Sequence, residues 1–268
     1  MRKRPLITWQ GAYAILVCCF LIAPIVAAII LSFSSVSMLQ MPPPGFSLQW
    51  YQAALSERKF ISGFVNSFQI ALASSLIAGV AGTLAAVALN NYRFNGRETL
   101  RILLLLPLIV PSIVIGLGLL QSYTLVGVGG VGFWQVTMGH AVIGVPYVVY
   151  MVLAAMTHYD IRLEHAAQSL GASRMQTFFG ITFPMIRTGV LAGIAFAFLV
   201  SFDEVALSLF LTRGNTLPLR LVQHIQYYAD PSVAAVSTLT TVASIMLLLI
   251  AGVVLKRRSG HYPPRATR

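Results

Sequence analysis

The sequence predicts an all-α membrane protein with six transmembrane helices. Of its 268 residues, 57% are hydrophobic and only 9% are charged, whereas soluble domains carry about 25% charged residues. Apolar runs of about 20 residues, the length of helix that crosses a bilayer core, recur along the chain. A helical bundle satisfies every backbone hydrogen-bonding group inside lipid, and no run of alternating Val, Ile and Thr suggests a barrel.

Six segments are predicted to span the membrane. They cover approximately residues 11–33, 65–89, 102–123, 136–156, 189–211 and 233–255. Three basic residues, Arg2, Lys3 and Arg4, precede the first segment, as they would in a secretory signal peptide. The apolar run that follows has 23 residues, however, and the apolar core of a signal peptide has about 7–15. We therefore expect the first segment to be retained as a span.

The distribution of basic residues predicts the orientation of these spans. If the N-terminus lies inside the cell, only 4 of the 18 basic residues fall in outer loops, namely Arg58, Lys59, Arg213 and Arg220. The inner ones are Arg2, Lys3, Arg4, Arg93, Arg97, Arg101, Arg162, Arg174, Arg187, Lys256, Arg257, Arg258, Arg265 and Arg268. Because basic residues accumulate on the cytoplasmic side, we expect both termini to be cytoplasmic. This distribution also accounts for the net charge of +11, so no nucleic-acid partner is expected.

The sequence offers little chemistry of the kind that enzymes use. It contains no Gly-Lys pair, and hence no nucleotide-binding loop of the G-x-x-x-x-G-K-[ST] type. It has no cluster of His, Cys and carboxylate residues with metal-ligand spacing and no G-x-S-x-G elbow. Its two cysteines, Cys18 and Cys19, are adjacent within an apolar run, where packing or lipid contact is expected. An integral-membrane enzyme is therefore not expected, and no cofactor is expected on this chain.

One inner loop, residues 157–187, is long enough to have structure of its own. Asp160 is expected to cap a first helix, and Gly171 occupies the C′ position where a left-handed residue ends it. Ser173 is expected to cap a second short helix over residues 174–179, which Pro184 would end before the fifth span. Composition alone favours the alternative of a segment that rests on lipid headgroups.

The spacing of small residues in this loop resembles the "EAA" loop of type I ABC-importer permeases. The family pattern is Glu-Ala-Ala, three residues, Gly, nine residues, Ile, one residue, Leu-Pro. Ala166, Ala167, Gly171, Ile181 and Pro184 match it. The position of the glutamate is taken by His165 and that of the leucine by Phe183, while Glu164 lies one residue early. Either Glu164 or His165 is thus a candidate for the role of the missing carboxylate.

The resemblance extends along the chain and implies a domain organisation. Residues 63–255 resemble one type I ABC-importer transmembrane domain, with 157–187 as its cytoplasmic coupling loop. Residues 1–62 would form a peripheral transmembrane helix and the first periplasmic loop, and 256–268 a basic cytoplasmic tail. Within the family, Ser201-Phe202-Asp203-Glu204 and Leu217-Pro218-Leu219 are most similar to the second permease of spermidine/putrescine importers.

Membership of this family implies partners and a mechanism. The chain would be a multi-pass permease of the bacterial inner membrane that works by alternating access. An ABC ATPase dimer would bind ATP and Mg, a second permease would complete the pore as a heterodimer, and a periplasmic substrate-binding protein would deliver the substrate. The resemblance assigns contact with the ATPase to Glu164, His165, Ala166, Ala167, Gly171, Ile181 and Pro184.

Residues of the predicted fourth and fifth spans are candidates for a substrate pathway. Of the seven acidic residues, only Asp203 and Glu204 fall inside a predicted span, where a carboxylate is costly and should face a cavity or a partner. On a continuous helix Ser201, Glu204 and Ser208 would form one polar stripe, which favours Glu204 as the pathway residue. The resemblance favours Asp203 instead.

Aromatic residues add to this candidate site. Tyr147 and Tyr150 follow Pro146 and would attract alkylammonium groups, although packing or interface roles are as compatible with their position. His140 is expected to pack, and Pro107, Pro111 and Pro146 are expected to kink helices.

The substrate is expected to be a polyamine or a similar small cation. Two alternatives stay open at this point. One is an ABC permease for another solute, such as a phosphonate, iron or an amino-acid-derived compound. The other is an ion-gradient-driven secondary transporter, which inverted repeats and ionisable residues in several spans would favour, and neither feature is seen in the sequence.

Overall fold

The computed structural model describes residues 9–128, 131–157, 159–228 and 230–259, and most of them are helical. The predicted basic residues Arg2, Lys3, Arg4, Arg265 and Arg268 lie outside the described residues. The helices are α1 (Trp9–Ser32), α2 (Gln49–Ser56), α3 (Arg58–Asn91), α4 (Arg97–Leu105), α5 (Ser112–Leu125), α6 (Phe133–Met156), α7 (Arg162–Ser169), α8 (Arg174–Thr177), α9 (Phe183–Phe202), α10 (Ala206–Leu211), α11 (Leu217–Tyr227) and α12 (Ser232–Ser259).

Five stretches of helix in the described chain are long and apolar enough to cross a membrane. They are Trp9–Ser32, Arg58–Asn91, Phe133–Met156, Arg174–Phe202 and Ser232–Ile250. A sixth span results if the bent pair Arg97–Leu108 and Ser112–Leu125 is taken as one. The prediction of an all-α membrane protein is confirmed.

The third predicted span is not a single straight helix, so the prediction of a continuous span over residues 102–123 was wrong. Its two parts meet at an angle of 107°. The first part ends in a 3₁₀ turn, Leu106–Leu108, and the second begins after Pro111. Proline lacks the N–H that would continue the helix and disfavours α geometry in the preceding residue. Pro107 and Pro111 were expected to kink this region, and here the chain turns through more than a right angle.

The fifth predicted span is also interrupted, so the prediction of a continuous span over residues 189–211 was wrong. Helix α9 ends at Phe202, residues 203–205 lie outside regular helix, and α10 begins at Ala206. Ser201, Glu204 and Ser208 therefore do not form the polar stripe that continuous helical spacing predicts. Residues 203–205 are called the fifth-span break below.

Contacts within the chain divide it into two compact units. One consists of Met1–Ile61 and Leu221–Ala243, and the other of Ser62–Arg220 and Ser244–Arg268. In the first unit α2 lies beside the end of α1. The Trp50 indole N–H donates to the Ser34 carbonyl at 2.7 Å, and the Tyr51 hydroxyl lies 2.6 Å from Ser32 Oγ. The predicted domain limits at 62/63 and 255/256 stay a prediction.

The core of the second unit depends on close contact between helices α3, α6 and α9. Buried side chains from all three form one cluster that includes Ala78, Val148, Val152, Ile186 and Ala197. Small residues allow the approach, as is common between helices in membranes. A Cβ atom built on Gly193 would lie 2.8 Å from the Val148 Cα, which is closer than two carbon atoms can pack.

A methyl group at Gly193 should therefore separate α6 from α9. We expect Gly193→Ala to destabilise the purified protein by about 1–3 kcal/mol, the typical cost of overpacking, and to lower its thermal unfolding temperature in detergent. Gly118→Ala is the matched control, since a Cβ at Gly118 in α5 would meet no atom within 4 Å. Equal unfolding temperatures for the two variants would contradict this account of the α6–α9 contact.

Candidate functional site

The loop of residues 157–187 has two capped helices. The Asp160 carboxylate accepts a hydrogen bond from the Arg162 backbone N–H at 3.0 Å at the start of α7. At its end, Gly171 has φ = +91°, its N–H donates to the Gln168 carbonyl, and the Ala172 N–H donates to the Ala167 carbonyl, each at 3.0 Å. These two bonds define a Schellman C-cap, which favours glycine. The predicted roles of Asp160 and Gly171 are confirmed.

The second helix begins as predicted but does not end at Pro184. Ser173 and Gln176 form a reciprocal capping box at the start of α8. The chain then passes through a π-helical turn, Phe178–Thr182, directly into α9, in which Pro184 lies in the first turn. Proline lacks the N–H of a regular helical turn, and the helix departs from regular α geometry in the π-helical turn directly before it. The prediction that Pro184 stops the helix was wrong: Arg174–Phe202 is one helical span.

The Glu164 carboxylate ties together three segments of the chain. Its Oε1 atom accepts hydrogen bonds from Asn91 Nδ2 at 2.9 Å and Thr182 Oγ1 at 2.6 Å. The Tyr159 hydroxyl donates to the same oxygen. Burial, together with the bond to Glu164, raises the pKa of Tyr159 well above its usual value, so this phenol stays a donor at physiological pH. Glu164 thus joins the end of α3 to both ends of the loop.

His165 points elsewhere, and the structure separates the two candidates for the motif carboxylate. His165 and Ala166 are exposed, and Glu164 and Ala167 are partly buried. A one-residue shift rotates a side chain by about 100° around a helix, which accounts for the difference. Glu164 therefore stabilises the loop from within, while His165 occupies its surface.

The loop exposes several large apolar side chains among its polar ones. Phe178, Phe179 and Phe183 contact one another with ring centroids 5.0–6.5 Å apart. Ile181 is partly buried and Pro184 is exposed. The exposed large apolar side chains of this segment are Leu163, Leu170, Met175, Phe179 and Phe183. Large apolar side chains exposed close together in the sequence are typical of a site of contact with another protein or with lipid.

At the fifth-span break the two acidic residues have different roles. The Glu204 carboxylate accepts a hydrogen bond from the Leu207 N–H at 3.0 Å, so it caps the first turn of α10. The Asp203 side chain is exposed. Continuous helical spacing favoured Glu204 as the pathway residue; because the helix ends at Phe202, Glu204 instead caps the next helix.

Ser201 and Ser208 are buried and bonded to a histidine that sequence reasoning expected only to pack. His140 Nδ1 lies 2.7 Å from Ser201 Oγ, and Nε2 lies 3.0 Å from Ser208 Oγ. Ser74 Oγ donates to Ser201 Oγ at 2.9 Å. An isolated ionisable residue in a membrane span is a sign of function, and this signal could have singled out His140. In this structure the two serines bind the histidine rather than line an exposed surface.

The aromatic candidates lie on neighbouring helices. The Tyr147 ring stacks on Phe196 with centroids 6.2 Å apart, and Tyr150 is exposed. Phe196, which the sequence analysis did not single out, is also exposed. It precedes Asp203 by seven residues, about two helical turns or roughly 10 Å, so both lie on one side of the helix.

An open cavity of about 350 Å³ lies near the other end of α10. Its lining residues are Asn66, Ile70, Val131, Gly132, Phe133, Val136, Leu211, Thr212, Arg213 and Asn215. Asn66 Nδ2 donates to the Asn215 carbonyl at 3.2 Å, and the Leu217 N–H donates to Ser67 Oγ at 2.9 Å. These bonds attach the segment that follows α10 to the side of α3.

Comparison with known proteins identifies the class to which this architecture belongs. Residues 78–260 match the family described as "Binding-protein-dependent transport system inner membrane component". The chain belongs to this family, and it is a multi-pass inner-membrane permease subunit of an ABC importer. Partnership with the other components of such an importer follows from that membership.

Particular relatives are similar over almost their whole length. The chain is 28% identical to the spermidine/putrescine transport system permease protein PotC of Haemophilus influenzae, covering 93% of this chain and 97% of the relative. It is 29% identical to the putrescine transport system permease protein PotI of Escherichia coli, covering 86% and 85%.

Solved structures share the fold. A bacterial ABC transporter involved in the import of the acidic polysaccharide alginate superposes with a TM-score of 0.71 at 16% identity, covering 92% of this chain and 93% of that one. An amino acid ABC transporter superposes with a TM-score of 0.61 at 16% identity, covering 78% and 98%.

Removal of the Glu164 carboxylate should loosen the loop. We expect Glu164→Ala to weaken the local structure by about 1.5–3 kcal/mol, because three donors lose a charged acceptor, and hence to speed amide exchange in α7 roughly 10- to 100-fold. The measurement is hydrogen–deuterium exchange of the purified protein. His165→Ala, on the exposed side of the same helix, is the control. Exchange that changes equally in both variants would show that Glu164 has no special role.

Proposed function

We propose that this permease moves polyamines such as spermidine and putrescine, or a similar small organic cation, across the bacterial inner membrane. The observation that carries the proposal is the exposed Asp203 carboxylate at the fifth-span break, in a chain whose relatives of nearly full coverage are named as spermidine/putrescine and putrescine permeases. A carboxylate at that depth is costly in lipid and is retained where it meets a cavity, a partner or a cation.

Aromatic rings on α6 and α9 support a cationic substrate. Phe196 and Tyr150 are exposed, and Tyr147 stacks on Phe196. Each ring face attracts an alkylammonium group by about 0.5–2 kcal/mol. A flexible chain carrying several ammonium groups would be drawn to Asp203 by its charge and passed along the rings by these weaker contacts, without a tightly bound state that would slow its release.

The loop of residues 157–187 is the proposed contact with the ATPase. In the proposed orientation both termini are cytoplasmic, so this loop is too. Its exposed apolar side chains, with His165 at its surface, would rest in a groove of an ABC ATPase. ATP and Mg would bind to that ATPase, and this chain would not itself catalyse hydrolysis. Glu164, Gly171 and the Schellman cap would act indirectly by keeping the loop rigid.

The helical span Arg174–Phe202 is suited to transmit movement from this contact to the substrate. It has 29 residues and would therefore be about 43 Å long. It begins in the coupling loop and ends one residue before Asp203. Closure of the ATPase dimer would move the α8 end of this span, and the fifth-span break would absorb the movement at the other end, as hinges do in alternating access.

The remaining partners are a second permease and a substrate-binding protein. The chain offers one coupling loop and would engage one ATPase subunit, so an ATPase dimer needs a second permease, which we propose to be a different chain. A periplasmic binding protein would deliver the cation to the outer loops, and lipid would surround α1, most of whose side chains are exposed.

Neutralising Asp203 should weaken the recognition of a cation. We expect Asp203→Asn to raise the KM for spermidine uptake roughly 10- to 100-fold, since a hydrogen bond to a charged group is worth about 1.5–3 kcal/mol. The measurement is uptake of radiolabelled spermidine into proteoliposomes that contain the complete importer. Glu204→Gln is the control, because its amide oxygen can still cap α10. Unchanged uptake by the Asp203→Asn variant, in a complex that assembles normally, would contradict the proposed substrate class.

Distorting the turn between α7 and α8 should uncouple ATP hydrolysis from transport. Gly171 has φ = +91°, a conformation that costs an L-residue about 1–2 kcal/mol and a β-branched one more. We expect Gly171→Val to lower the number of substrate molecules moved per ATP hydrolysed. Gly171→Asn should retain most coupling, because Asn tolerates left-handed geometry. Normal coupling in the valine variant would count against a role of the loop in docking.

A further inference from the structure

The two parts of the fifth span are joined to a neighbouring helix by one imidazole ring. Ser201 lies in the last turn of α9 and Ser208 in α10, on opposite sides of the fifth-span break. His140 of α6 contacts both hydroxyls, at 2.7 Å through Nδ1 and at 3.0 Å through Nε2. The histidine and both serines are buried. The distance between the two half-helices is therefore set by a rigid ring.

The hydrogen bonds of this cluster join four helices. Ser74 Oγ of α3 lies 2.9 Å from Ser201 Oγ and 3.2 Å from the Ala71 carbonyl oxygen. Neutral imidazole has one acceptor nitrogen and one donor nitrogen. His140 therefore donates to one of the two serine hydroxyls and accepts from the other. These hydrogen bonds run from α3 through α9 and α6 to α10 and satisfy each buried group that they join. Hydrogen bonds are stronger in a low-dielectric interior than in water.

This arrangement determines the exposure of Asp203. It lies two residues after Ser201 and five before Ser208, between the two points that His140 holds. The Asp203 N–H donates to the Leu199 carbonyl at 3.2 Å, so the last turn of α9 sets the position of Asp203. The direction that α10 takes after the break decides what lies over the Asp203 side chain, and α10 would take a new direction if α9 and α10 fused into one helix. Loss of the two serine contacts removes the tie that His140 provides between the two half-helices.

We infer that His140 is a positioning residue: it holds the fifth-span break open and so presents the Asp203 carboxylate to the substrate pathway. The role of Asp203 in substrate recognition rests on the proposed function, whereas control of the break by His140 does not. His140 itself does not touch the substrate. The ring acts through Ser201 and Ser208, and through them it determines where the side chain at position 203 lies.

The geometry is tested by the reactivity of a cysteine at position 203, which needs no substrate. Asp203→Cys is placed in a chain with Cys18→Ser and Cys19→Ser, assembled in the complete importer, and labelled with a water-soluble methanethiosulfonate. We expect His140→Leu to change the labelling rate roughly tenfold or more, the effect of losing about one directed hydrogen bond. Thr137→Val is the matched control, since it removes a buried hydroxyl from α6 that bonds only within that helix, to the Phe133 carbonyl.

Two conservative variants separate the bonds and guard against misfolding. Asn places a polar atom near the Nδ1 position and Gln near the Nε2 position of histidine. We expect His140→Asn and His140→Gln each to give labelling rates between those of the native residue and His140→Leu. A labelling rate at position 203 that is the same in all His140 variants and in Thr137→Val would overturn the inference.

The uptake assay adds a test of how the two residues act together. With native Asp203, His140→Leu should raise the KM for spermidine, and in the double variant with Asp203→Asn it should add nothing to the effect of Asp203→Asn alone. A fall in Vmax with KM unchanged, or full additivity, would overturn the positioning role. If Asp203→Asn transports normally while labelling still depends on His140, the proposed substrate class fails and control of the break by His140 stands.

Discussion

The close contact of α6 with α9 is the constraint on which the rest of this permease depends. Gly193 and Gly189 bring the backbones so near that a Cβ at Gly189 would lie 2.7 Å from the Met151 carbonyl oxygen. Lipid offers no hydrophobic force to press helices together, so such contact relies on small residues and interhelical hydrogen bonds. With α9 held in this way, its two ends have defined positions, and both of the proposed functional regions lie at those ends.

The two ends of α9 differ in structure. At the coupling loop every hydrogen bond adds rigidity: the Schellman cap at Gly171, the capping box at Ser173 and the three donors on Glu164 fix the loop in one shape. At the other end the helix is interrupted, and His140 spans the interruption. A rigid lever with a break at its far end suits a machine in which force enters at one site and moves a gate at another.

Much of this could be predicted from local signals. Length and hydropathy indicated the spans, because the bilayer sets how long an apolar helix must be. Asp160, Gly171 and Ser173 were assigned correctly because caps are decided by a few neighbouring residues. The end of a helix at Pro184 and the continuous span over 189–211 were predicted wrongly. The helix passes through Pro184 directly after a π-helical turn, and no local residue pattern indicated the break after Phe202. Glu164 and His165 also could not be separated by spacing alone.

The sequence by itself determined the class of this protein, the number of membrane-crossing segments to within one, and the caps of its coupling loop. Each depends on composition or on residues a few positions apart. The tertiary structure alone decided that Glu164 turns inward to Asn91, that Glu204 caps α10, and that His140 meets Ser201 and Ser208. Those partners are as many as 73 residues apart. Whether a polar side chain in a membrane is paired or left for a substrate depends on which distant helix lies beside it.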